Sequence, residues 1–109
     1  MEELSQNGEP VMNFDVSADG NESATVTVSG ELDIANVDRL EEAVAPIIER
    51  RPRRLVVDVA ALRFADSSAI ALWVRWASHV EEIELRACSP LLRRVIESMG
   101  LEEKLRPTA

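Results

Sequence analysis

The chain has 109 residues, one cysteine and a formal net charge of −8, which is consistent with a single domain that buries a core without disulfides or metals. An acidic surface disfavours contact with a phosphate backbone, so nucleic acid is not an expected partner. The lone Cys88 favours a reducing compartment, and no apolar run approaches the roughly 20 residues of a membrane span. We therefore expect a cytoplasmic protein with no membrane contact.

The N-terminal part predicts a tail followed by a β-hairpin. Residues 1–9 are polar and acidic and are expected to be flexible, which leaves residues 10–109 as the domain. Met12, Phe14 and Val16 alternate with polar residues, as in a strand with one buried face. Residues 19–22 have turn chemistry, and residues 24–28 resume the alternation, so the two strands should pair.

A helix over residues 35–51 should follow the hairpin. Gly30 is expected to stop the second strand, and Asp33 or Asn36 is available to cap the helix. One stripe of this helix is apolar and comprises Val37, Leu40, Val44, Ile47 and Ile48. The arginine-rich residues 50–54 fit the C-terminal end of a helix better than a nucleic-acid patch.

The second half predicts an alternation of strands and helices. Residues 55–59 are typical of a central parallel strand buried on both faces, and residues 67–78 of a helix. A strand over 83–88 and a helix capped by Ser89-Pro90 and ended by Gly100 come next, before a loosely packed ending at 101–109. The predicted fold is α/β, with order β-β-α-β-α-β-α and a mixed sheet of four or five strands against which the helices pack.

Asp66-Ser67-Ser68 lies where the helix after the central strand should begin. Oxygens of Asp and Ser side chains accept hydrogen bonds from the N–H groups that lack partners in the first turn of a helix. Two hydroxyls at the positive end of a helix dipole are also well placed to hold or receive a phosphate. The motif alone supports both interpretations, a structural cap and a phosphate site.

Helical phase predicts different surroundings for the two serines. At about 100° per residue, Ser67 points closer to the sheet side than Ser68 does. The opposite stripe of the helix comprises Ser68, Leu72, Arg75 and His79, with Trp76 beside it. An exposed leucine and tryptophan next to Ser68 predict a partner surface. The alternative is that neighbouring helices cover this side.

No group of residues supports catalysis, so we expect a protein that is not an enzyme. His79, the only histidine, lies about 16 Å from Ser68 along the helix, beyond the reach of a hydrogen bond. One cysteine and one histidine cannot form a structural zinc site. Asp33, Asp58 and Asp66 could be considered for magnesium, but capping and turn roles are expected. We predict no metal and no cofactor.

The chain resembles the STAS-domain family, specifically the bacterial anti-sigma-factor antagonists, over about residues 11–106. The resemblance is carried by three segments in order: Gly30-Glu31-Leu32-Asp33, Phe64-x-Asp66-Ser67-Ser68, and Ser89-Pro90 with Met99-Gly100-Leu101. Two features depart from the family pattern. Ala69 stands where the family commonly has glycine, and the segment before the next strand is short.

The resemblance implies a phosphorylation switch. Its target would be Ser68, with Ser67 less favoured, and the partner serine kinase would itself be the anti-sigma factor. The unphosphorylated antagonist would bind this kinase and so free a sigma factor for transcription, and a serine phosphatase would reset the switch. Arg63 or Arg75 could approach the phosphate. The predicted partner-binding residues are Asp33, Asp66, Ser67, Ser68, Ala69, Leu72, Arg75 and Trp76.

A second function also fits the resemblance. STAS domains occur as subunits of transport or stress-signalling assemblies, where they bind partners without being phosphorylated. The two adjacent serines favour the switched antagonist, whereas Ala69 and the predicted apolar surface are compatible with the second function.

Overall fold

The computed structural model describes residues 12–20 and 22–109, so the predicted tail at residues 1–9 lies outside the described residues and stays a prediction. The strands are β1 (Met12–Asp19), β2 (Ser23–Leu32), β3 (Arg54–Ala65) and β4 (Glu82–Arg86). The helices are α1 (Val37–Glu49), α2 (Ser67–Ala77), α3 (Pro90–Ser98) and α4 (Glu102–Leu105). The predicted α/β fold and its element order are confirmed, and the short helix α4 follows them.

The four strands form one mixed sheet in the order β1-β2-β3-β4. β1 and β2 pair antiparallel as the predicted hairpin, whereas β3 runs parallel to both β2 and β4. The expectation that β2 stops at Gly30 is wrong, because the strand continues to Leu32. Gly30 has a φ of +85° at a shift in register with β3, where the absence of a Cβ permits the bulge.

One face of the sheet carries the core. Leu55, Val57 and Val59 of β3 are buried on this face in one cluster with the apolar sides of the helices. On the opposite face Val56 is also buried, but Asp58 is half-buried and Ala60 is exposed. On this opposite face the predicted burial of β3 is therefore correct only at Val56. The reason is that the helices of the core pack on the face that carries Leu55, Val57 and Val59.

The loop between β2 and α1 has its own hydrogen bonds. Asn36 precedes α1 but makes no capping bond to it through its side chain. Its amide oxygen instead accepts from the Asp33 N–H at 3.0 Å, and its Nδ2 donates to the Glu31 carbonyl at 2.9 Å. The side chain is nearly fully buried, so these bonds satisfy an amide that would otherwise be costly to bury. Asn36 therefore shapes the loop rather than capping the helix.

The C-terminal segment is well packed, contrary to the sequence-based expectation. α3 follows the predicted Ser89 cap, and a Schellman motif ends it at the predicted Gly100 stop. Gly100 has a φ of +72°, its N–H donates to the Glu97 carbonyl, and the Leu101 N–H donates to the Ile96 carbonyl. The chain then turns so that Leu105 is fully buried. Thr108 pairs with β4, since its N–H donates to Leu85 O at 2.9 Å and its carbonyl accepts from Cys88 N at 2.7 Å. The ending thus covers the outer edge of β4.

Candidate functional site

The candidate site lies where the C-terminal ends of β2 and β3 meet. Leu32 and Ala65 are paired residues at the ends of these parallel strands. The Asp66 N–H donates to the Leu32 carbonyl at 3.2 Å, which fixes the start of α2 beside the loop that follows β2. This edge brings residues 33–36 and the Asp66-Ser67-Ser68 turn together, as ligand sites at strand ends commonly require.

Asp66 is the centre of the hydrogen bonding at this edge. One carboxylate oxygen accepts from the Ser68 N–H at 2.9 Å, from the Ala69 N–H at 3.4 Å and from the Ser68 hydroxyl. The other oxygen accepts from the Ile34 N–H at 3.1 Å. The Ser68 hydroxyl bond, aided by the backbone donors and opposed by partial burial, lowers the pKa of Asp66. The predicted cap is confirmed, and it also binds the β2–α1 loop.

The predicted accessibility of the two serines is wrong. Ser67 is exposed, whereas Ser68 is partly buried with its hydroxyl turned towards Asp66. The assignment by helical phase failed because the first turn follows the geometry of the cap rather than a uniform rotation of 100° per residue. Ser67 is therefore the more accessible hydroxyl.

The predicted exposure of Leu72 and Trp76 is also wrong. Leu72 is 0% exposed and Trp76 is 3% exposed, and both belong to the core cluster. The reason is that α1 and α4 pack against α2. These helices cover the side of α2 that helical phase predicted to face away from the sheet. This is the alternative that the sequence left open. Neither side chain can form an exposed partner surface, and Ala69 is likewise fully buried.

The two candidate phosphate-binding arginines differ in their surroundings. Arg75 donates from Nε and Nη2 to the two oxygens of Glu41 on α1, both at 3.1 Å. This two-bond contact ties α2 to α1 and occupies the guanidinium group. Arg63 is exposed on β3, and no carboxylate among the described residues pairs with it.

The remaining predicted acids have local roles. Asp33 accepts from Ala35 N and Asp58 accepts from Ala60 N, each at 3.0 Å, as turn-forming carboxylates do. Asp58 lies within β3. Within residues 12–20 and 22–109, no group of three or more His, Cys, Asp or Glu side chains is placed to hold a metal. Cys88 is buried, and this burial raises the pKa of its thiol against the opposing effect of the Arg93 charge.

Sequence reasoning missed the exposed apolar residues at this edge. Ile34 is 75% exposed, Phe64 is 52% exposed and Leu91 is 71% exposed. Ile34 is the one large apolar residue of the loop at 33–36, and Phe64 lies two positions before Asp66. An isolated large apolar residue in a polar loop was the available signal, because such a residue has no helix or strand periodicity to explain it.

Across the described part of the chain, no helix is both long and apolar enough to cross a membrane.

The comparisons with known proteins agree on one family. The family model described as "Mlab, STAS domain" matches residues 15–107. The anti-sigma-F factor antagonist RsfB of Mycobacterium tuberculosis is 28% identical over 92 residues, which are 82% of this chain and 75% of the relative.

Solved structures agree on the fold. An anti-sigma factor antagonist from Mycobacterium paratuberculosis matches with a TM-score of 0.78 at 22% identity, covering 95% of this chain and 88% of that one. The unphosphorylated form of SpoIIAA matches with a TM-score of 0.75 at 22% identity and 89% coverage of both chains. The phosphorylated form of the Bacillus SpoIIAA matches with a TM-score of 0.70, covering 89% of this chain and 92% of that one at 22% identity. The chain belongs to the STAS-domain family, and its relatives include anti-sigma-factor antagonists.

Proposed function

We propose that this STAS domain is an anti-sigma-factor antagonist that binds a serine-kinase anti-sigma factor and is released when that kinase phosphorylates Ser68. The observation that carries the proposal is the Asp66-Ser67-Ser68 turn at the N-terminus of α2, next to the exposed Ile34. The names of the relatives support the antagonist role, and a neighbour of this fold exists in a phosphorylated form.

The hydrogen bonds of Asp66 suggest how a phosphate would act. Unmodified Ser68 donates its hydroxyl proton to Asp66, and a phosphorylated Ser68 has no such proton. The phosphate would add about −1.5 to −2 charge beside an ionised carboxylate. Repulsion would displace Asp66, which also accepts from the Ile34 N–H, so the effect would extend to the β2–α1 loop. The N–H groups of the first turn would offset part of this cost without refolding.

The position of the phosphate is the first test. Purified protein is incubated with ATP and each serine-kinase anti-sigma factor of the source organism, and any phosphate is located by mass spectrometry. We expect modification of wild type and of Ser67→Ala but not of Ser68→Ala. Because Ser67 is the more exposed hydroxyl, modification that persists in Ser68→Ala and disappears in Ser67→Ala would contradict the assignment.

Binding is the second test. Ser68→Asp should weaken binding to the kinase by at least about tenfold, since an unpaired charge in a desolvated contact costs more than 1.4 kcal/mol. Ser17→Asp, at an exposed position of β1 outside the predicted partner-binding residues, is the matched control for added charge and should leave the affinity within about twofold of wild type. If Ser68→Asp and Ser68→Ala both bind as wild type does, the switch is refuted.

A second function is favoured by one observation. The Ser68 hydroxyl is already bound to Asp66, as expected for a purely structural cap. In that case the chain is an unmodified STAS subunit of a transport or stress-signalling assembly. Absence of phosphate with every kinase, together with a complex that forms equally with Ser68→Asp, would support it.

A further inference from the structure

An apolar groove lies beside the serine turn, between the end of β3 and α3. Its lining is Leu62, Arg63, Phe64, Ala65, Ser89, Leu91, Leu92 and Val95. The pairing of β3 with β4 ends at Asp58 and Arg86, so within residues 12–20 and 22–109 no strand pairs with the last residues of β3 on that side. The first turns of α3 face this gap instead. The groove is therefore a consequence of β3 extending seven residues past the last one paired with β4.

The groove is continuous with the serine turn. Residues 63–65 of its lining lead directly into Asp66. On α3, Leu91 and Val95 are one helical turn apart, and Met99 follows at the same spacing. Leu91 and Met99 are 71% and 50% exposed. Large apolar side chains this exposed at helical spacing form a surface that a partner can cover.

Its size favours a side chain over a free small molecule. The groove has a volume of about 200 Å³, below the roughly 300–1,000 Å³ of sites that enclose drug-sized ligands. Shallow apolar pockets of this kind receive anchor side chains from amphipathic segments.

The charge of the groove indicates which charge its partner carries. Arg63 is the charged residue of the lining, and it has no carboxylate partner among the described residues. Arg94 lies next to the Leu91–Val95 ridge on the same helix and is also exposed. By contrast, the groove of similar volume between α1 and α2 has its Arg75 paired with Glu41. An arginine that no described carboxylate neutralises provides a positive charge in the groove that can attract a carboxylate of a partner.

We propose that this groove binds an apolar side chain on an acidic amphipathic helix of the same partner that recognises the serine turn. The identity of that partner rests on the proposed function, whereas the groove's preference for an acidic, apolar segment does not. Arg63 would contact a carboxylate, and Leu91, Val95 and Phe64 would enclose the apolar anchor.

The test uses the full chain and two synthetic helical peptides. Both peptides carry leucines four residues apart, and they differ only in having glutamates or lysines at the flanking positions. Amide NMR shifts are followed during titration to millimolar peptide. We expect saturable shifts at Phe64, Leu91 and Val95 with the glutamate peptide and at least about tenfold weaker binding of the lysine peptide.

Matched variants locate the contact. Arg63→Glu and Leu91→Ala should each weaken binding of the glutamate peptide about tenfold. Arg50→Glu, at the end of α1, changes the net charge by the same amount as Arg63→Glu. It should leave the affinity within about twofold of wild type, because exposed charges away from a contact contribute little to it.

Four results would overturn the proposal: no saturable shift, equal binding of both peptides, shifts confined to other residues, or failure of Arg63→Glu to weaken binding. Vesicles containing phosphatidylglycerol provide a further arm, and Leu91-dependent binding to them in place of the peptide would also overturn it.

The two proposals fail separately. If no kinase binds or phosphorylates the protein while the peptide results hold, the proposed function fails and the groove's preference stands. If a kinase binds wild type and Leu91→Ala equally, the groove is not part of that interface.

Discussion

Asp66 connects two chain segments that are 32 residues apart through the two oxygens of one carboxylate. Its capping role could be predicted, because Asp before an apolar helical run is a common N-cap. Its bond to Ile34 could not, because only the parallel pairing of β2 with β3 brings the two loops together. The cap of α2 could therefore be predicted from the sequence, whereas the contact between the two loops could not.

Asp66→Ala should destabilise the protein by about 1–2 kcal/mol, as loss of an N-cap does. The free energy of unfolding in urea measures this loss. Hydrogen exchange should also accelerate at the amides of Ile34 and Ser68, since both lose their acceptor. Asp33→Ala is the control, because it removes a bond to Ala35 alone. Unchanged exchange at Ile34 would show that Asp66 does not couple the two loops.

At the scale of whole elements, α2 shows that a helix face directed away from the sheet can still be buried. Its buried residues are Ala69, Ile70, Leu72, Trp73 and Trp76, which cover more than one side of the helix. A helix that is apolar around most of its circumference is usually buried by several neighbours. The composition of α2 contained this signal, but the sequence did not specify that α1 and α4 provide the cover. Hydrophobic periodicity depends on residues close together in the chain, so it predicts whether a segment is a strand or a helix. It does not predict which other elements pack against that segment.

Leu72→Ala should cost about 2–5 kcal/mol, because it leaves a cavity between packed helices. Urea unfolding provides the measurement, with Ala71→Ser on the exposed side of the same helix as the control. Under conditions in which both variants are folded, affinity for the proposed partner kinase should match wild type. A stability loss below about 1 kcal/mol combined with lost binding would instead indicate an exposed contact residue.

Across the whole molecule, Glu84 on β4 joins the sheet to the C-terminal ending. Its carboxylate accepts from the Thr108 hydroxyl at 2.8 Å and from Arg54 at 2.6 Å, and Arg86 lies 3.5 Å away. The Thr108 bond, together with the two arginines and against partial burial, lowers the pKa of Glu84. These contacts link residues that no local pattern relates, which explains why the ending was predicted to be loose.

Stability should therefore fall in acid. A carboxylate whose pKa is lowered by folding stabilises the native state fully above its ordinary pKa of about 4.3, and this contribution is lost as pH falls through the lowered value. Melting temperatures measured from neutral pH down to pH 3 should show a smaller acid decrease for Glu84→Gln than for wild type. Glu82→Gln, an exposed residue of the same strand, should retain the full decrease. Identical acid profiles for wild type and Glu84→Gln would contradict this assignment.

The burial of Trp73 and Trp76 in α2 has a practical consequence. These are the two tryptophans of a chain that has no tyrosine, so its intrinsic near-ultraviolet fluorescence reports mainly on this one helix. Both indoles are shielded from water, and their emission should shift to longer wavelength when α2 loosens. The helix that begins with the serine turn thus contains an unlabelled optical reporter, and the proposed partner binding and phosphorylation can be tested without attaching a dye.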